Sequence, residues 1–515
     1  MPDSVLRFAV WKLRLRALFG VVAVSLLVGT TACGSGQHAG EKALDAALVQ
    51  RIDGIVADHL AAGLIPGAVV AVVDPVAGTY IHAYGKADTA TGRPAGVHDR
   101  FRIGSITKTF TATAVLRLVD DGKLRLDDPL ERYVPGVPNG TVITIGNLLG
   151  MRGGVYDLAG ENDFLTQSLA QTPGAQWHDG DRLRAIIAHP EKASQPDQHT
   201  VYSNSEYYLL GLVLEKVTGK PVGEVLQDLA RQYGLDETTY PSDGAVPDLS
   251  VHGYAYDADT LTDVTQRVTP VLFGAAGSMI SSVSDLARYG KALGTGELLK
   301  PETFQARTHF TDLGDGTVGY GLGLSRMNKW LGHDGAVLGY NSQLGYLPDR
   351  GVTVAVAINQ FGPATTGALP VNAGLLWNDL VDALYPGTGL VETTPGTPAD
   401  PPIPTAADLN NTLTEALRTD IPSARKALRI TGDTTGDLMT AWSATNAAQS
   451  VRVQVQQVRL LRQGLLMATG TMTSTVPAMP LSIPFVPGDG GWQLPTFWVC
   501  ESFVPGPDRP AACSS

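Results

Sequence analysis

The 515-residue chain exceeds one ordinary domain, and its 43% hydrophobic and 17% charged residues predict a globular protein of two or three domains. Its formal charge is −12 at pH 7. The first 32 residues carry Arg7, Lys12, Arg14 and Arg16 against Asp3, so without them the chain stands near −15, a balance that argues against nucleic acid or an anionic membrane surface as the main partner.

In chain order, the basic residues precede an apolar run, 17–28, followed by Gly29, Thr30, Thr31, Ala32 and Cys33. A run this short falls below the roughly 20 apolar residues that span a bilayer, so residues 1–33 read as an export signal. The Thr-Thr-Ala-Cys stretch resembles a bacterial lipobox, although Thr30 stands where leucine is usual. That resemblance implies lipidation at Cys33, with residues 34–43 as a tether. Of three cysteines, Cys500 and Cys513 are then an even pair in an oxidising compartment. A disulfide between them would stabilise by about 3 kcal/mol in the loop-entropy description.

Leu44, Leu48, Ile52, Ile55, Val56 and Leu60 recur at helical spacing. An apolar strand at 68–73 and its hairpin partner at 80–84 follow. Residues 101–121, FRIGSITKTFTATAVLRLVDD, read as an apolar helix ending at Gly122. Ser105 and Lys108 lie three apart at its start, on one helical face. A serine becomes a nucleophile when a neighbouring base takes its proton, and a lysine kept neutral by burial can do so.

Residues 146–199 are polar, glycine-rich and poorly periodic, which predicts a binding surface. Tyr202-Ser203-Asn204 precedes a helix at 206–218. A phenol beside a lysine can relay a proton, and a carboxamide can hold both the lysine and a substrate amide. A Gly-Ala-Ala-Gly turn and an amphipathic helix occupy 271–289. After YGLGL (320–324) comes GHDGAVLGY (332–340), then strands at 344–348 and 352–358 joined by Pro-Asp-Arg-Gly. Helices interrupting hairpin-linked strands predict an α+β fold, a central antiparallel sheet flanked by helices, over 44–385. A proline-rich linker, 386–404, leads to a second small α+β domain, 405–515. There Thr405 and Asp408 suggest a capping box, and strands are expected at Val451 to Val455, 464–475 and 492–499.

Ser-x-x-Lys alone is weak, since it recurs at Ser423/Lys426, where it reads as a solvated helix face. His-Asp-Gly is weak too: it occurs at 178–180 and at His333-Asp334-Gly335. His333 is favoured because it lies after Tyr202 beside the closing strands, where a glycine lets a substrate approach the backbone. The ordered set SITK, YSN and HDG resembles the serine β-lactamase and penicillin-binding family, in particular class C β-lactamases and soluble D-alanyl-D-alanine carboxypeptidases, over about 44–385.

The resemblance implies a β-lactamase/transpeptidase-like sheet, Ser105 as the acylated nucleophile, and Lys108 with Tyr202 as the proton relay. It implies that Asn204 orients the substrate amide and His333 occupies the edge-strand position. The backbone N–H groups of Ser105 and Ala336 would form the oxyanion hole, with no metal or cofactor. Two departures stand out. The carboxypeptidases usually have His-Thr-Gly, so Asp334 replaces a threonine that helps hold a carboxylate; ionised, it would repel one. Met151-Arg152-Gly153-Gly154 replaces His-x-Ser-Gly, and Arg152 is either a substitute positive charge or a surface residue. The C-terminal Pro-Thr-Ala-Ala-x-Leu start and Gly-Trp-x-Leu…Trp-x-Cys end resemble NTF2-like or cystatin-like exported domains, which implies docking to an envelope partner. The expected activity is hydrolysis of a D-alanyl peptide, β-lactam or small ester, peptidoglycan-like substrates included, through a Ser105 acyl-enzyme at the outer face of the cell membrane or in secreted form. The alternative is a hydrolase-shaped binding protein with little turnover.

Overall fold

The computed structural model describes residues 42–61, 65–158, 180–241, 249, 251–257, 260–267, 273–313, 317–361, 373–390, 401–462, 465–473, 479–488, 490–500, 510 and 513. Cys33, the export signal and His178 lie outside them.

Helix α1 (Ala46–Ala61) leads into the hairpin β1 (Gly67–Asp74) and β2 (Gly78–Gly85). The short strand β3 (Arg100–Arg102) and the 3-10 turn Gly104–Ile106 open onto α2 (Thr107–Asp120). Helices α3 (Ile145–Leu149) and α4 (Asp181–Ala188) flank residues read as irregular, so that stretch is partly helical. Then come α5 (Asn204–Thr218), α6 (Val222–Gln232), β4 (Tyr254–Asp257), β5 (Thr260–Asp263), β6 (Ile280–Ser282), α7 (Val283–Thr295) and α8 (Pro301–Arg307). Strands β7 (Thr311–Asp312), β8 (Val318–Tyr320), β9 (Ser325–Met327), β10 (Trp330–Val337), β11 (Tyr340–Leu347) and β12 (Val352–Ile358) precede α9 (Ala373–Leu384).

The main sheet runs β2-β1-β12-β11-β10-β9-β8-β7, with antiparallel neighbours throughout. Strands β1 and β12 bury both faces along nearly their whole length, because β-branched and small apolar residues fill their positions instead of alternating with polar ones. Val69, Ala71, Ala355 and Ala357 join a core with α2, α5 and α7. Val70, Val72, Val354 and Val356 join a second core with Ile52 and Val56 of α1 and Trp377 and Leu380 of α9. The sheet is thus sandwiched between two helical layers.

The C-terminal domain has its own core, including Leu413, Trp442, Phe485 and Trp498. Its α10 (Ala406–Ala416) begins with the expected capping box, Thr405 Oγ1 accepting from Asp408 N–H at 3.1 Å. After α11 (Asp437–Ala448), a sheet of order β13-β14-β15-β16 combines Arg452–Arg462, Leu465–Thr473, Met479–Gly488 and Gly491–Gln493. The strand expected at 492–499 ends at Gln493. Pro495 then precedes the short helix α12 (Thr496–Cys500), since a proline just before the first turn has no N–H to lose there. Cys500 and Cys513 form a disulfide with Cα atoms 5.2 Å apart.

The second Ser-x-x-Lys corrects another expectation. Ser423 sits in a 3-10 turn, and Lys426 is buried rather than solvated. Its ammonium donates to Ala416 O at the end of α10, at 2.7 Å, and to Ser443 Oγ at 2.6 Å. A cation at a helix C-terminus answers carbonyls that the helix leaves unpaired.

Candidate active site

Ser105 is presented by a backbone that only glycine adopts readily. Gly104 has φ +51°, and a Cβ there would lie 2.5 Å from Ala336 N. Across the same contact, a Cβ on Gly335 would run into Ile103 O. The glycine of His-Asp-Gly therefore admits the serine turn against β10, where a substrate's approach had been expected. Ser342 Oγ donates to Ile103 O at 3.2 Å and secures that seam. The Gly104 turn that carries Ser105 is thereby seated directly against the backbone of Ala336.

Lys108, on the first turn of α2, is fully buried. Its Nζ lies 2.9 Å from Ser105 Oγ, 2.8 Å from Asn204 Oδ1 and 2.9 Å from Ala276 O. Two of these partners are carbonyl oxygens that only accept. A neutral amine has two hydrogens for them and one lone pair, which then faces the serine hydroxyl. Burial pushes the Lys108 pKa down to about 7, against an upward pull from Asp157 and Asp334, so the neutral form is well populated near neutrality.

Tyr202 lies over this amine, its ring centroid 4.7 Å from Lys108 Nζ. Burial first, then Asp334, holds its phenol well above the usual range, while a bond to Ser105 pulls it down. Tyr202 is 44% exposed as a residue, so solvent tempers that rise; the phenol still rests protonated. Asn204 is fixed from behind by Asp157, whose Oδ1 accepts Asn204 N–H at 3.0 Å and whose Oδ2 accepts Nδ2–H at 3.3 Å.

His333 is buried, its Nδ1–H donating to Asp334 O at 2.7 Å and its Nε2 accepting from Tyr320 O–H at 3.2 Å. Burial first, and Lys108 nearby, lower its pKa, so the ring is neutral and this tautomer is set by its partners. Both nitrogens are occupied by protein groups; His333 anchors β10 under Tyr202, with ring centroids 6.4 Å apart. The exposed Asp334 carboxylate has its Oδ1 3.4 Å from His333 Nδ1, close enough to act on Lys108 and Tyr202. Arg152 pairs with Asp197 at 2.9 Å on the surface, so it is no substitute positive charge for the site.

Ser105, Lys108, Tyr202, Asn204, His333, Asp334, Gly335 and Ala336 therefore converge from α2, the start of α5 and β10. Asp157, Tyr320, Gly104 and the carbonyl of Ala276 were missed. Asp157 falls in the stretch read as a binding surface, Tyr320 in YGLGL, and Ala276 in the Gly-Ala-Ala-Gly turn; residue order carried no sign of their roles. Among the described residues, no His, Cys, Asp and Glu group is arranged to hold a metal ion.

The Beta-lactamase family model matches residues 52–374, more than half of the chain. The chain belongs to the beta-lactamase family. Among solved members of this fold, the D-stereospecific amidohydrolase from Streptomyces sp. superposes with a TM-score of 0.55 at 30% identity, over 67% of this chain and 99% of that one. The D-amino acid amidase from Ochrobactrum anthropi SV3, complexed with L-phenylalanine amide, gives 0.58 at 26% identity, over 66% and 98%. Penicillin-binding protein 4* of Bacillus subtilis (strain 168) is 26% identical over 285 residues, 52% of this chain and 62% of that protein. Protein flp of Staphylococcus aureus (strain MW2) is 31% identical over 184 residues, 35% of each. The chain thus spans less than two thirds of the length of these two curated relatives. Residues 402–503 match the C-terminal domain of the low molecular weight antigen MTB12; this likeness takes the place of the NTF2-like or cystatin-like one.

Proposed function

We propose that this chain is an exported serine hydrolase that cleaves an amide or ester through an acyl-enzyme on Ser105. The observation that carries the reading is the buried Lys108 amine, 2.9 Å from Ser105 Oγ, 2.8 Å from Asn204 Oδ1 and 2.9 Å from Ala276 O; in its neutral form two hydrogens serve the two carbonyl oxygens and the lone pair is left for the hydroxyl. Lys108 takes the hydroxyl proton as Oγ bonds to the substrate carbonyl carbon. The resulting oxyanion lies between the N–H groups of Ser105 and Ala336. Collapse breaks the bond to the leaving amine or alcohol, which receives the proton from Lys108 through the Tyr202 phenol. Water then attacks the acyl-enzyme with the same groups acting in reverse, releasing the acid and restoring Ser105.

Amides rank first among substrates, supported by the likeness to a D-stereospecific amidohydrolase and a D-amino acid amidase. Asp334 argues against substrates with a carboxylate beside the scissile bond, so β-lactams and free D-alanyl termini rank lower. Lipid attachment at Cys33 and an envelope partner for the C-terminal domain belong to the same proposal. The Cys500–Cys513 disulfide supports an oxidising compartment.

The test is a panel of D-amino acid amides, p-nitrophenyl esters, D-alanyl peptides and cephalosporins, with Ser105→Ala as control and mass spectrometry for the adduct. Turnover and a Ser105 adduct are expected. No adduct with any amide, ester, β-lactam or fluorophosphonate would sink the proposal, and rapid labelling without turnover would favour the binding-protein reading. Asp334→Thr is expected to raise penicillin turnover about 10-fold, as removal of one like charge near the site allows.

A further inference from the structure

Glu206 takes no part in the steps above, yet it is a carboxyl only 1% exposed, two residues beyond Asn204 on the first turn of α5. Val155 N–H donates to its Oε1 at 3.3 Å, and the N–H groups of Gly153 and Gly154 bond to the same carboxyl. Burial, aided by Asp157, pushes its pKa up to about 8 against the pull of these amides, so near neutrality it is chiefly the uncharged acid. A Cβ on Gly153 would lie 2.9 Å from Oε1. The Met151-Arg152-Gly153-Gly154 departure noted in the sequence is thus the wrapping of a turn around a buried carboxyl.

The fastening continues outward. Ser203 Oγ donates to Val155 O at 3.2 Å rather than capping α5, and Leu158 N–H donates to Ser205 Oγ at 3.1 Å. Between these points Asp157 grips Asn204, and Asn204 Oδ1 accepts from Lys108. Glu206 Oε1 takes the Val155 N–H, while Oε2 is buried without a hydrogen-bond partner.

We propose that Glu206 is a positioning residue: it moulds the Gly153-Gly154-Val155 turn so that Asp157 holds Asn204 where it orients the Lys108 amine on Ser105. The proposal rests on the acyl-transfer reading. It implies that glutamine, which keeps the Oε1 acceptor, can stand in for Glu206, whereas alanine leaves three N–H groups without their acceptor.

The experiment uses the full chain and a fluorophosphonate probe, with rates expressed per titrated active site so that partial unfolding does not count as slow chemistry. Glu206→Ala is expected to slow acylation about 100-fold with probe binding changed less than about 3-fold, the size of effect that sub-ångström misplacement produces. Glu206→Gln is expected to stay within about 3-fold of wild type, and Glu206→Ala/Asp157→Ala to be no slower than either single variant, because both act through one element. A Glu206→Ala rate within about 2-fold of wild type, additive losses in the double variant, or a Glu206→Gln loss beyond about 10-fold would each overturn the proposal. Amide hydrogen exchange across 151–158 reads the anchor without any label: Glu206→Ala should speed it about 10-fold or more relative to Glu206→Gln, and equal protection overturns the role. Should Glu206→Ala not fold, Gly153→Ala, whose Cβ meets Oε1, takes its place under the same limits. Absence of labelling in wild type would count against the acyl-transfer reading, while the exchange comparison would still decide for or against Glu206.

Discussion

Both Ser-x-x-Lys sequences of this chain bury their lysine, and the two sites differ in what surrounds it. Lys108 and Lys426 each reach one serine hydroxyl and one backbone carbonyl: Ser105 with Ala276 O, and Ser443 with Ala416 O. Burial lowers the pKa of both. Ser443 Oγ, however, is closed off from solvent and within donating distance of Ala416 O and Met439 O, at 2.7 and 2.6 Å. Ser105 is partly open, and the turn that carries it lies against the backbone of Ala336. A buried Ser–Lys contact is therefore a structural tie in one domain and, in the function proposed above, the reactive pair in the other. Access separates the two.

Exchanging the serines is the sharpest way to break this contrast. Ser105→Ala should lower turnover at least about 1,000-fold. Ser443→Ala should leave turnover intact and cost about 1–2 kcal/mol in denaturant unfolding of the C-terminal domain. Equal losses of turnover would mean that the domains do not divide the work in this way.

The glycines come next. Gly104→Ala forces a side chain onto φ +51° and into Ala336 N, and should slow acylation about 100-fold. Gly436, at φ +79°, is the counterpart, because a Cβ there would meet Ser423 Oγ. Gly436→Ala should lower stability by about 1 kcal/mol without touching the rate.

The smallest effect is pH dependence. Lys108 must be neutral to take the proton, so with its pKa at about 7 kcat/KM should fall about tenfold per pH unit below that value and level off above it. Lys426 should show in stability only. Its folded pKa is depressed, so its contribution is present above the unfolded lysine pKa and is lost as pH falls through the folded one. Lys426→Met should flatten that slope in urea titrations while leaving the kcat/KM profile unchanged.

Much of this arrangement is legible in the sequence because the three motifs mark positions where side-chain chemistry and backbone placement coincide. The apolar run after Ser105 implies α2, the run after Asn204 implies α5, and the two apolar runs joined by Pro-Asp-Arg-Gly at 344–358 imply the inner strands. What escaped was set by distant contacts. Asp157 and Glu206 look like ordinary acidic residues until the 151–158 turn folds onto the start of α5. Lys426 looks solvated because lysine usually is, and only the end of α10 gives its amine a buried acceptor. Trp492 to Val499 is aromatic and apolar enough to read as a strand, but Pro495 precedes a helical turn there.

The place of β1 in the main sheet bears on how the protein comes into being. Its residues Ala68 to Val73 pair with Ile358 to Thr353 of β12, so neighbours in the sheet are made about 290 residues apart, a long-range closure that slows folding. A chain emerging from the ribosome carries Ser105 long before β10 to β12 exist to receive its turn. Until residue 337 has been synthesised the Ser105 turn has no β10 to rest on, and until residue 358 the hairpin β1–β2 has an open edge. For the exported hydrolase proposed above, that interval leaves the nascent chain inactive and loose enough to thread through a channel, and activity begins only when its last inner strand arrives.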